Sequence, residues 1–170
     1  MKVNPKYLVP LTILVSALGY FVDIYDILLF SIVRQSSLTS LGVSPEQSLD
    51  VGLSILNWQV GGLILGGILW GAIGDKKGRL SVLFFSILLY SLANFLNGYI
   101  VSVEQYKWCR LIAGIGLAGE LGAGITIVSE IMSKQKRGYG TMIISSVGML
   151  GAVFAAIIGL NLPWQTAYKI

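Results

Sequence analysis

Five apolar runs, each long enough to cross a lipid bilayer and joined by short polar connections, leave this chain few ways to fold. A helix needs ~20 predominantly apolar residues to cross hydrocarbon ~30 Å thick. Residues 7–33, 51–73, 81–101, 108–132 and 139–160 all reach that length. The composition agrees, with 55% of the 170 residues hydrophobic and only 12% charged, at a mean hydropathy of +0.77. A soluble domain of this size has no means of hiding so much apolar surface. The expected fold is therefore an all-α membrane bundle of five full transmembrane helices, with Trp164 opening a sixth.

The charges fall between the runs, and that excludes some functions. The net charge is +4, but the basic residues occupy short loops and form no continuous soluble face, so nucleic-acid binding is not expected. Lys2 and Lys6 precede the first apolar run as in a signal peptide, yet the run is far longer than a signal's apolar region and is read as a retained helix. Eight of the twelve basic residues lie on one side: Lys2, Lys6, Lys76, Lys77, Arg79, Lys134, Lys136 and Arg137. Arg34, Lys107 and Lys169 lie on the other, beside Glu46, Asp50 and Glu104. By the positive-inside rule the amino terminus is expected in the cytoplasm. Cys109 is the sole cysteine and histidine is absent, so an internal disulfide is impossible and the commonest metal ligand is missing. No metal, no cofactor and no catalytic residue are expected, because no nucleophile–base pair or metal cluster is visible.

Helix signals refine the boundaries. Ser44-Pro45-Glu46-Gln47 reads as a capping box with proline at the first helical position, which starts helix 2 near 45. Ser102-Val103-Glu104-Gln105 reads as a second, opening helix 4. The expected helices lie near 7–33, 45–73, 79–101, 103–132 and 139–160, with the sixth near 164, in one membrane domain over 1–170. The polar stretch 34–44 is expected to be the one long loop. Glycines recur four apart at Gly62 and Gly66, and at Gly67 and Gly71, while Gly114, Ala118 and Gly122 repeat the spacing. Such faces let helices pack closely in lipid, either statically or as surfaces that slide. Asn57, Gln59, Asn94 and Asn97 are expected to bond between helices.

Ionisable groups inside the apolar runs carry the most information about function. A charge at the bilayer centre costs at least ~2.5–3.5 kcal/mol on insertion scales, so it usually has a partner and a task. Helix 1 holds Asp23 and Asp26, three residues apart and so on one face. Helix 4 holds Arg110 and Glu120. At 1.5 Å per residue, Asp26 lies roughly 10 Å and Arg110 roughly 8 Å from the same membrane side. The two can pair if helices 1 and 4 are neighbours, either as a fixed structural pair or as a proton site that forms and breaks it. Glu120 reads equally as a helix-to-helix tether or as a proton or substrate group.

Five motif matches then narrow the class. Gly71-Ala-Ile-Gly-Asp75-Lys76-Lys77-Gly78-Arg79 resembles the loop signature of the major facilitator superfamily, with Asp75 capping or facing a helix start, Gly78 permitting a tight turn and Arg79 offering a planar fork. Arg110-Leu-Ile-Ala-Gly114-Ile-Gly116-Leu-Ala-Gly119 resembles that family's helix 4 pattern, and Glu130 through Arg137-Gly138 resembles a motif of its sugar-porter and metabolite:proton symporter branches. Asp23-Ile-Tyr25-Asp26 and Gly119-Glu120 are similar to symporter motifs in helices 1 and 4. Leu80 and Ala118 depart from the patterns, and helix 5 lacks the Gly-Pro pair of drug:proton antiporters.

The resemblance implies the amino-terminal half of a twelve-helix secondary transporter in the bacterial cytoplasmic membrane. It implies uptake of a small polar metabolite by alternating access, with a proton as the coupling ion. Asp23, Asp26, Arg110 and Glu120 would serve translocation; Gly71, Asp75, Gly78, Arg79, Glu130 and Arg137 would form a cytoplasmic gating network. The implied partners are the substrate, the bilayer and a carboxy-terminal half. The alternative is a truncated membrane protein that no longer transports and acts only by association with other membrane chains.

Overall fold

The structure, a computed structural model, describes residues 5–132 and 137–169. Its described elements are helices: α1 (Pro5–Ser40), α2 (Ser48–Lys77), α3 (Arg79–Asn97), α4 (Val103–Ile131), α5 (Arg137–Asn161) and the short α6 (Trp164–Ala167). Among the described residues four stretches are long and apolar enough to cross a membrane: Ile13–Ser40, Ser48–Lys77, Arg79–Asn97 and Gly138–Asn161. α4 is as long, at 29 residues, and is partly enclosed by the others, with Trp108 and Ile112 left exposed. It packs along α2 and α3 and touches α1, while α5 packs along α1.

The outside of this bundle suits lipid and not water. Ile64, Ile68, Phe84, Met149 and Leu160 each expose more than 60% of their surface. With four membrane-length apolar helices beneath that coat, the chain is a multi-pass membrane protein.

Glycines set the α2–α4 seam. A methyl group added to Gly62 would strike the backbone carbonyl of Leu111, and one on Gly114 would strike that of Gln59. Only a bare Cα on both helices permits that approach. Trp70 fixes the register by donating its indole N–H to the Ile115 carbonyl at 2.6 Å. Gly67 and Gly71 belong to the same glycine pattern but face open space.

Several boundaries differ from the sequence expectation: α2 runs past 73 to Lys77, α3 stops at Asn97 short of 101, and the first connection differs most. The stretch expected as a loop after residue 33 continues α1 to Ser40. Its serines bond to carbonyls of the preceding turn, Ser36 to Val33 at 2.9 Å, Ser37 to Arg34 at 3.0 Å and Ser40 to Ser37 at 2.7 Å. Their polarity is thus absorbed within the helix. Ser37 and Leu38 are fully buried in the core with Ile55 and Tyr106, which ties the extension down. Residues 44–47 form a turn instead of opening α2, with Gln47 N–H bonded to Ser44 O at 3.1 Å. α2 starts at Ser48, whose hydroxyl donates to Gln35 Oε1 at 2.7 Å. At the start of α4 the second capping box forms in a shifted version, with the return bond on Val101 and not on Ser102 itself. Ser102 Oγ accepts the Gln105 N–H at 3.2 Å, and Gln105 Oε1 accepts the Val101 N–H at 2.9 Å.

Candidate functional site

α1 and α4 bring the buried charges together. Arg110 is completely buried, and its Nη1 donates to Asp26 Oδ2 at 2.6 Å. Its Nη2 donates to the Tyr168 hydroxyl, which sits 2.8 Å from the hydroxyl of Tyr106. Three rings surround the guanidinium, with Phe30 at 4.9 Å, Tyr168 at 5.0 Å and Tyr106 at 5.7 Å from its central carbon. A planar, weakly hydrated cation suits such a cage, since it can stack on the ring faces while its fork meets a carboxylate.

Sequence reasoning named Asp26 and Arg110 but missed this aromatic shell. Phe30 lies one turn beyond Asp26 on α1, and Tyr106 one turn before Arg110 on α4, so i, i+4 spacing carried the signal. Tyr168 follows α6 and could be found only from the three-dimensional packing. Tyr25, one residue before Asp26, donates to the Ala167 carbonyl at 2.7 Å and holds that segment in place. Trp164 does the same at its other end, donating to Ser40 Oγ at 3.0 Å.

A cavity of about 510 Å³ opens beside this pair, walled by Phe21, Tyr25, Asp26, Tyr90, Asn94 and Phe154 among others. Its lining is mainly aromatic with a few polar groups, the usual make-up of a small-molecule pocket. Asn97 does not tether two helices as expected: its amide donates to Asn94 Oδ1 on α3 itself, at 3.3 Å. Gln59 is buried on α2, whereas Asn57 is exposed.

Asp23 and Glu120 also face the α1–α4 seam. Both are buried, and the Glu120 carboxylate lies directly over Gly19, one turn before Asp23. Among the described residues neither Asp23 oxygen has a hydrogen-bond partner, nor does Glu120 Oε1.

The remaining motif residues gather at one end of the bundle. Lys76 and Lys77 end α2, Gly78 turns the chain with φ 85°, and Arg79 begins α3. That positive φ is why glycine stands there. Asp75 does not cap α3, whose cap position is Gly78; it lies exposed in the last turn of α2, because the helix runs on through Lys77. Gly71 lies further back in α2, facing open space. Glu130 sits near the end of α4 and Arg137 begins α5, but their side chains lie outside the described residues.

Residues 13–170 match the Major Facilitator Superfamily, and the chain belongs to that family. A candidate metabolite transport protein of Haemophilus influenzae is 34% identical over 165 residues, covering 91% of this chain and 38% of its own length. A candidate niacin/nicotinamide transporter of Bacillus subtilis, NiaP, is 28% identical over 157 residues, covering 90% of this chain and 38% of its own. Synaptic vesicle glycoprotein 2A of Rattus norvegicus is 30% identical over 95 residues, covering 56% of this chain and 13% of its own. The chain thus spans well under half the length of the curated relatives it matches. Two of these relatives carry names of transport proteins, which points to a transporter fold and away from an enzyme.

Proposed function

We propose that the chain is the amino-terminal half of a secondary active transporter that takes up a small polar metabolite with protons, by alternating access, across the bacterial cytoplasmic membrane. The observation that carries this reading is the Asp26–Arg110 pair, buried between α1 and α4 beside an aromatic-lined cavity. A buried ion pair is a poor way to stabilise a bundle, because desolvation offsets most of the attraction. It is a good switch, because breaking it leaves a carboxylate that favours protonation. In this reading the pair holds α1 to α4 in one conformation and parts in the other.

Asp23, Asp26, Arg110 and Glu120 supply the polar lining, and Gly71, Asp75, Gly78, Arg79, Glu130 and Arg137 brace the cytoplasmic end. The amino terminus is cytoplasmic, in keeping with the basic 2–3 and 4–5 loops. The relatives' names support a metabolite as cargo, and nicotinate and nicotinamide are the first compounds to try. A carboxy-terminal half supplies the facing wall of the route.

The test is Asp26→Asn in the transporter that contains this chain, reconstituted in proteoliposomes. Asparagine mimics the neutral acid. Accumulation driven by a pH gradient is expected to be lost, while exchange of substrate across the membrane persists at least in part. Accumulation at the parental level would show that the pair does not couple proton to cargo.

A further inference from the structure

The walls of the cavity beside the Asp26–Arg110 pair restrict what it can hold. Phe21, Phe95 and Phe154 offer a ligand only ring faces and edges, with Phe21 and Phe154 edge to face at 5.4 Å. Tyr25, Tyr90 and Tyr168 also line it, but their hydroxyls are engaged elsewhere. Tyr25 donates to the Ala167 carbonyl at 2.7 Å, and Tyr90 to the Val22 carbonyl at 3.3 Å. The Tyr168 hydroxyl is held between Arg110 and Tyr106. Rings are therefore what the tyrosines leave for a ligand. A sugar or other polyol suits such a wall badly, because each hydroxyl buried without a partner costs free energy. A flat ring suits it well, through stacked or edge-on contacts.

Charge adds a second restriction. Among the described residues, the charged side chains lining the cavity are Asp26 and Lys169. Asp26 is neutralised by Arg110 at 2.6 Å. Lys169 has no carboxylate within ion-pair distance among the described residues; its ammonium rests over the Tyr99 ring, 3.8 Å from the centroid. A cation on a ring face keeps its whole charge. Gly98 gives the lysine its seat. A methyl group there would lie 2.7 Å from Lys169 Cγ and 2.8 Å from Cε, so the bare Cα admits the stem. Asn94, one turn before Gly98, lines the cavity too, and its Oδ1 already accepts the Asn97 amide. Its own N–H groups are the side left for other partners. The cavity thus offers rings, amide donors and one unneutralised positive charge.

We propose that the cavity binds a small planar aromatic carboxylate, its ring among the aromatic walls and its carboxylate at the Lys169 ammonium and the Asn94 amide. Lys169 is then the residue that selects an acid over the matching amide, since the two share a ring and differ in charge. The inference rests on the transporter reading and goes beyond it by fixing the shape and the charge of the cargo. Of the two compounds named above, nicotinate is expected to bind and nicotinamide to bind far more weakly.

Equilibrium binding tests this apart from transport. Labelled nicotinate and labelled benzoate are offered to the transporter that contains this chain, in lipid nanodiscs with no ion gradient, and unlabelled compounds compete. The acids are expected to compete about tenfold or more better than nicotinamide and benzamide, the usual worth of a hydrogen bond to a charged group. Cyclohexanecarboxylate has the charge without the flat ring and is expected to compete poorly, and glucose not at all. Lys169→Gln is expected to weaken the acids and spare the amides, while Lys169→Arg keeps the preference. Lys169 is exposed, so neither substitution disturbs the core. Failure of both labelled acids to bind the unsubstituted protein overturns the proposal. So does equal competition by acid and amide, equal loss of both in Lys169→Gln, or cyclohexanecarboxylate competing as well as benzoate. An aromatic acid that binds as expected but is never concentrated by a pH gradient upholds the site and defeats proton coupling. Gradient-driven accumulation of a polyol, with no aromatic acid bound, upholds coupling and defeats the site.

Discussion

Arg110 engages Asp26, the Tyr168 hydroxyl and three aromatic rings, and its removal has a calculable consequence. Arg110→Gln leaves Asp26 buried without its cation, and losing one partner of a buried pair costs about 3–5 kcal/mol. Thermal unfolding of the chain in detergent or nanodiscs should show that loss; a change under ~1 kcal/mol, the size of an exposed pair, would mean that water reaches Asp26. Arg110→Lys keeps the charge but lacks a planar fork to reach Asp26 and Tyr168 together. It should fall between the parent and Arg110→Gln. That the two could pair was legible from depth, since residues counted from the same membrane side brought Asp26 and Arg110 level; that α1 and α4 are neighbours came from the packing. The aromatic cage was not, because Tyr168 is 58 residues from Arg110 in the chain and no local spacing links them.

At the level of helices, glycine decides which faces meet. Gly62→Val and Gly114→Val would drive a side chain into a backbone carbonyl across the α2–α4 seam. Backbone cannot swing aside as a side chain can, so each should cost ~1–3 kcal/mol or more. Gly67→Ala, with nothing within 4 Å of the added methyl group, should stay within ~1 kcal/mol of the parent, on the favourable side through helix propensity. Equal losses at Gly62 and Gly67 in the same unfolding assay would contradict the assigned seam. The four-residue spacing was visible in the sequence for both pairs, but spacing does not say which face finds a partner. The end of α1 escaped for a related reason. Serines read as loop residues where solvent takes their hydroxyls; here Ser36, Ser37 and Ser40 turn theirs back onto the helix. Ser102, by contrast, accepts the Gln105 N–H as its spacing predicts, with the return bond shifted to Val101.

For the whole molecule, orientation and coupling are the two matters that physics leaves open to direct measurement. The loop charges predict that a cysteine at Lys77 resists an impermeant thiol reagent in intact cells while one at Glu46 reacts. Both positions are exposed, Glu46 in the turn before α2 and Lys77 at the far end of that helix, so the reverse pattern would invert the assigned topology. The bundle and its family were legible throughout, because apolar runs and loop motifs are properties of contiguous sequence. The balance of buried charge was not, since it depends on which acid Arg110 chooses. The central measurement is accumulation by proteoliposomes carrying the transporter that contains this chain, offered small polar metabolites beginning with labelled nicotinate and nicotinamide. With the lumen alkaline to the outside, at least one compound should concentrate inside above its external level and leak back when a protonophore is added. If every compound merely equilibrates, with or without the gradient, the chain does not belong to a proton-coupled transporter.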